Sequence, residues 1–174
     1  MKTHQISFVL LVVLLTAMEM FGQTQEIRLF SHRGGRMEYD ENTLKAFQAS
    51  YEAGYCGFET DIRMTKDGEL VITHDSSLER TTTGKGMVED HTKSEIMQLE
   101  TKQGNKMLFL DELLEFLQDK PGLYVEFEMK TNPESLYPEE RLKEYCDKLY
   151  KKVMEKRPSD ALYVFTSSDY RALR

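Results

Sequence analysis

Tryptophan is absent from this 174-residue chain, and cysteine (2) and proline (4) are sparse. Two cysteines, Cys56 and Cys146, are too few for a disulfide framework, and no zinc-ligand spacing occurs. Cys146 lies on the apolar stripe Leu142, Tyr145, Leu149 and Val153, where it reads as a small buried hydrophobe. A Cys56–Cys146 bridge stays open, because a sequence does not fix the separation that a disulfide needs. Basic excess is also lacking: the formal net charge is −7, which argues against a nucleic-acid partner. The acidic surplus reads as solvated surface, with a local cation-binding cluster as the sharper alternative. No repeat, low-complexity stretch or Pro/Gly-rich linker divides the chain, and its length predicts one domain.

A long apolar run occurs at the N-terminus. Ile6 to Ala17 is nearly unbroken, Lys2 precedes it, and the small residue Gly22 stands before Gln23. The run is too short to cross a bilayer comfortably. Residues 1–22 are expected to be a secretory signal peptide, with a domain over 23–174; a retained anchor is the alternative. No cysteine lies near the run, which argues against lipoprotein attachment. Loss of 1–22 removes Lys2 and Glu19, so the mature charge stays at −7. An exported protein, periplasmic or secreted, with no stable membrane span after cleavage, is expected.

Beyond this run the pattern alternates. Ile27 to Phe30 reads as a strand. Thr43 to Ala53 reads as a helix, with Asn42 as N-cap and Gly54 as its stop. Strands are expected over 58–64 and 69–74, joined by an Asp67-Gly68 hairpin turn. Ser76 to Lys93 is loop, followed by helices over 94–100 and 111–118. Leu123 to Met129 is a strand, Pro138 to Lys156 a long amphipathic helix, and Ala161 to Thr166 a strand. Asp169 begins another helix. With the hairpin set aside, the order is βαβαβαβα, which implies a parallel sheet with right-handed crossovers.

Charged residues gather at the ends of these strands. Glu59 and Asp61, at i and i+2, share one strand face about 6.6 Å apart. Carboxylates are poor strand formers, and two together can chelate a hard cation. A two-residue turn would set Asp61 opposite His74 and bring that imidazole beside both acids; a bulge would shift the register by one. His74, followed by Asp75, is a candidate general acid or base. His32 is a second, because Arg33, Gly34 and Gly35 follow it. Arg33 can bind phosphate bidentately. Glu128 and Lys130 repeat the i, i+2 spacing, one offering a third carboxylate and the other a cation for phosphate. Glu126 shares that face and should lie deeper. His91 reads as a surface residue.

Taken together, H-R-G-G at 32–35, E-N-T-L-K-A-F at 41–47, G-F-E-T-D-I-R-M-T-K-D-G at 57–68, V-I-T-H-D at 71–75, L-E-R-T-T at 78–82 and E-M-K at 128–130 resemble the glycerophosphodiester phosphodiesterase family. The resemblance implies a TIM (β/α)8-type barrel that hydrolyses glycerophosphodiesters to glycerol 3-phosphate and an alcohol with a divalent cation, often Ca2+ or Mg2+. It implies Glu59, Asp61 and Glu128 as metal ligands and His32 and His74 as the acid/base pair. Arg33 and Lys130 match phosphate-contacting positions, and Glu41 a motif residue near the site. Asp40 stands where the family usually has proline. Such barrels run to about 250 residues, so about the first four β/α units are expected, a fragment whose open edges invite self-association. A phospholipase-like or sphingomyelinase D-like phosphodiesterase is an alternative enzyme, although the mostly polar 76–93 loop favours a soluble substrate. A cation-binding half-barrel, inactive or dependent on a partner, is the non-enzymatic alternative.

Overall fold

A computed structural model describes residues 28–174; the expected signal peptide lies outside the described residues. Four strands run parallel in chain order: β1 (Ser31–His32), β2 (Gly57–Met64), β4 (Tyr124–Met129) and β5 (Leu162–Thr166). Strand β3 (Leu70–Ile72) pairs antiparallel with β2. It lies on the same edge of β2 as β1, because the Glu59 carbonyl accepts from Arg33 N–H and the Asp61 carbonyl from Thr73 N–H. The helices are α1 (Leu44–Glu52), α2 (Lys93–Ile96), α3 (Leu110–Gln118) and α4 (Glu139–Lys156). Among the described residues no helix is long and apolar enough to cross a membrane.

Residues in register share a sheet face. Phe58 aligns with Val125 and Tyr163, and Thr60 with Phe127 and Phe165. This side is apolar and packs on Phe47 of α1, on Leu113, Leu114 and Leu117 of α3, and on Leu142, Tyr145, Leu149 and Val153 of α4. The Phe47 and Phe58 rings meet edge to face at 5.5 Å, and the Tyr145 hydroxyl donates to the Ile62 carbonyl at 2.9 Å. The other side carries Glu59 with Glu126, and Asp61 with Glu128 and Thr166. Period-2 alternation thus sends apolar side chains to the helices and acids away from them.

Several expectations are corrected. The first strand is Ser31–His32 rather than 27–30, whose Leu29 and Phe30 are exposed; pairing with Phe58 and Glu59, not hydrophobicity, selects the segment. Thr43, not Asn42, caps α1, its hydroxyl accepting from Ala46 N–H. The helix expected over 94–100 is the single turn α2, started by a reciprocal Thr92–Glu95 cap. Pro138 sits just before the first residue of α4. Residues after Asp169 form a 3-10 turn, Tyr170–Leu173, with the Asp169 carboxylate as its cap. Both cysteines are free thiols, and Cys146 is half-buried on the stripe whose other four members are buried.

The hairpin differs most. Met64 pairs with Leu70, Arg63 with Val71 and Ile62 with Ile72. Thr65 N–H donates to the Glu69 carbonyl at 2.8 Å, so Lys66, Asp67 and Gly68 form a three-residue loop, and Gly68 supplies the left-handed residue (φ 81°). Asp61 therefore faces Thr73, not His74.

Phe127 is fully buried between Tyr163 and Phe165. Phe127→Ala should cost about 3–5 kcal/mol, read as a lowered urea midpoint with an unchanged m-value.

Candidate active site

Strands β2 and β4 build the acidic centre. Glu59 and Asp61 stand at i and i+2 of β2, and Asp61 and Glu128 are in register. Carboxylate oxygens of all three lie within 4.8 Å of one another. Glu59 and Asp61 are buried, and Glu59 Oε1 and Asp61 Oδ1 have no hydrogen-bond partner. Asp61 Oδ1 has the Lys130 ammonium near it, at 3.3 Å, and Glu59 Oε1 has no partner; buried carboxyl oxygens crowded in this way carry a desolvation cost that a bound cation would offset. An all-oxygen donor set of this kind fits a hard divalent ion. Burial and the Asp61 carboxylate push the Glu59 carboxyl up to about 8.

Cationic side chains close in from the flanking loops. Arg33 directly follows β1; its N–H donates to both the Glu59 carbonyl and Glu59 Oε2 at 3.0 Å. Its side chain is buried, with Nε 3.2 Å from Asp61 Oδ2 and Nη1 donating to Glu41 Oε1 at 3.2 Å. Lys130, one residue past β4, places Nζ 3.3 Å from Asp61 Oδ1 and hydrogen-bonds Glu128. Asn42 Nδ2 donates to Asp61 Oδ2 at 2.9 Å. Among the described residues, the non-glycine positions with positive φ are Arg33 (55°) and Asn42 (58°). Such backbone is uphill for a side-chain-bearing residue and gathers at functional sites.

The two histidines differ in their surroundings. His32 is half exposed, with Nε2 3.5 Å from Glu59 Oε2. Partial burial, together with Arg33 and Arg36, lowers its pKa, so the neutral ring is favoured. His74 Nδ1 lies 2.6 Å from Asp75 Oδ1. Its carbonyl accepts from Arg63 Nε at 3.1 Å, and Arg63 Nη1 donates to the buried Glu89 at 2.8 Å. Burial acts to raise the Asp75 carboxyl, but hydrogen bonds from Arg80 and His74 outweigh it and bring it to about 2. An ionised Asp75 therefore accepts from Nδ1–H and leaves Nε2 of His74 free for proton transfer. An open depression of about 460 Å3, lined by His74, Arg63, Lys130, Asn132 and Ser168 among others, adjoins this ring.

Residues 32–174 match the glycerophosphoryl diester phosphodiesterase family. The chain belongs to this family. It is 36% identical over 129 residues to a glycerophosphodiester phosphodiesterase of Bacillus altitudinis, covering 69% of this chain and 52% of that protein. It is 40% identical over 123 residues to one of Caldanaerobacter subterraneus, covering 66% and 50% respectively. Among solved structures, a phosphodiesterase of Oleispira antarctica in complex with the product sn-glycerol-3-phosphate superposes with TM-score 0.75 at 27% identity, over 84% of this chain and 60% of that one. A glycerophosphodiester phosphodiesterase of Agrobacterium tumefaciens gives TM-score 0.68 at 28% identity, again over 84% and 60%. The parallel β/α alternation is that of the family's TIM barrel, and the chain spans about half the length of the curated relatives it matches.

Glu59, Asp61, Glu128, Arg33, Lys130 and His32 converge as the sequence predicts, and Glu41 joins them through Arg33. Glu126 lies one step down β4, in register with Glu59, its oxygens taken by Thr166 and Tyr124. His74 reaches the neighbourhood of the site by way of the Arg63 clamp, not by the expected pairing with Asp61. His91 is half-buried, with Nδ1 on the Met87 carbonyl. Asn42 and Arg80 escape the sequence reading as site residues, and Asp75 enters it only as the residue that follows His74. Asn42 resembles an ordinary helix cap, and Arg80 an ordinary charge in a polar loop. The signal that could have found Asn42 is its place inside the E-N-T motif.

Glu59 also makes metal-free stability depend on pH. The folded chain holds its proton up to about 8, whereas an unfolded chain releases it near the ordinary value of 4.5. Its contribution is therefore complete below 4.5 and lost as pH rises through about 8. Urea unfolding in EDTA between those limits should show stability falling with pH, and a flatter profile in Glu59→Gln.

Proposed function

We propose that this chain carries the metal-dependent phosphodiesterase centre of an exported glycerophosphodiester phosphodiesterase, acting on small glycerophosphodiesters to give glycerol 3-phosphate and an alcohol. The observation behind it is the meeting of Glu59, Asp61 and Glu128 within 4.8 Å, with Glu59 Oε1 buried and without a hydrogen-bond partner, beside Arg33, Lys130 and His32. Family membership and the product complex of the Oleispira relative support the substrate class.

Glu59, Asp61 and Glu128 would hold the divalent cation, Ca2+ or Mg2+. Bound there, such an ion supplies Lewis acidity and charge neutralisation at a phosphoryl group. Arg33 presents a fork of donors to the phosphate oxygens, and Lys130 a point charge. Both already neutralise Asp61, so the phosphate competes with that carboxylate for them. His32, held neutral by burial and by Arg33, is ready to take a proton from the nucleophile. His74, which lines the depression and has Nδ1 on Asp75, would supply the proton that the leaving alkoxide needs. Export rests on Lys2, the Ile6–Ala17 apolar run and the Gly22-Gln23 junction of the sequence.

Glycerol 3-phosphate release from glycerophosphocholine tests this reading. His74→Ala should lower turnover by roughly 10²–10⁴-fold while calorimetric titration still detects Ca2+ or Mg2+ binding. Asp61→Asn should abolish the binding isotherm itself. Wild-type turnover in His74→Ala removes His74 from the chemistry.

A further inference from the structure

Arg80 sits in the stretch between β3 and α3, which encloses its own core of Val71, Leu78, Val88, Ile96, Met107 and Phe109. The residue is pinned from both sides. Leu78 and Thr82 are buried, and Thr82 donates to the Leu78 carbonyl through its N–H at 3.0 Å and its hydroxyl at 2.7 Å. From this anchored turn the guanidinium reaches two carboxylates at once. Nε donates to Asp75 Oδ2. Nη1 donates to Glu41 Oε2 at 3.0 Å and Nη2 to Glu41 Oε1 at 2.7 Å.

Each of those carboxylates touches a functional group with its remaining capacity. Asp75 Oδ1 is 2.6 Å from His74 Nδ1. Glu41 Oε1 also accepts from Arg33 Nη1 at 3.2 Å. Arg80 is 48% exposed at its side chain, so its ion pairs add little to stability. Their value is geometric. A planar fork with donors on two edges joins two carboxylates from separate loops, which a single ammonium does not reproduce.

We propose that Arg80 is a positioning residue, a clamp that holds Asp75 on His74 and Glu41 on Arg33 and so fixes the orientation of an imidazole and a phosphate-binding fork from different loops together. Its consequence for turnover rests on the phosphodiesterase reading above; its consequence for the His74 ring does not. Misorientation of a catalytic group costs on the order of a hundred-fold in rate.

The test is nuclear magnetic resonance of the full chain labelled with 15N-histidine. The His74 Nδ1 proton, assigned by its loss in His74→Gln, should be downfield and slowly exchanging in the wild type. In Arg80→Gln it should broaden away and the ring should become a mixture of tautomers, with a thermal midpoint within about 2 °C of wild type. Arg80→Lys should not restore the signal, and Glu41→Gln, which removes one anchor of the clamp, should weaken it. With glycerophosphocholine, kcat of Arg80→Gln should fall ten- to a hundred-fold. Retention of the wild-type His74 signal in Arg80→Gln overturns the proposal. A wild-type chain that releases no glycerol 3-phosphate would instead count against the hydrolytic reading, and the ring signal would still decide the clamp.

Discussion

Asp61 is fully buried, and two loops distant in sequence converge on its carboxylate: the β1–α1 loop through Arg33 and Asn42, and the turn after β4 through Lys130. A buried carboxylate left alone would cost several kcal/mol, so these three loop residues are constrained by one oxygen pair at the centre of the sheet. Arg33 and Asn42 accept left-handed backbone to reach it. The order of the β1–α1 loop, and through Glu41 that of the loop after β3, follows from this neutralisation. The same charges that stabilise the carboxylate are those a phosphate would recruit.

The sheet divides these demands between its faces. Phe58, Ile62, Val125, Phe127 and Met129 bury the apolar side against three helices, and this packing supplies the scaffold. The intervening Glu59, Asp61, Glu126 and Glu128 occupy the opposite side. Because backbone pairing fixes both faces together, the carboxylates cannot drift relative to one another without disrupting the core. Placing a polyanionic cluster on strands rather than on loops gives it this rigidity.

Much of this was legible in the sequence for one reason. The i, i+2 placement of Glu59 with Asp61, and of Glu128 with Lys130, uses the period of a strand, and strand period survives tertiary context. The helices over 44–52, 110–118 and 139–156 were legible from their apolar stripes and stops. What failed depended on pairing. Leu29 and Phe30 are more apolar than Ser31 and His32, yet the latter find the β2 edge. Asn42 has the chemistry of a cap, but the cap is Thr43, and Asn42 turns instead to Asp61. Arg80 could not be weighted because its importance lies in Glu41, 39 residues away, and in reaching His74 through a second carboxylate, Asp75.

The loop of Lys66, Asp67 and Gly68 has a reach beyond its own tip. Strand side chains alternate with a period of 2, so one residue more or fewer there would shift every partner of β2 along β3. Thr73 would lose the Asp61 carbonyl, and the His74 carbonyl would leave Arg63. A deletion in that loop would thus be felt as a displacement of the His74 backbone. Homologues that vary in length at this tip would have to compensate within the few residues before the imidazole, or do without it.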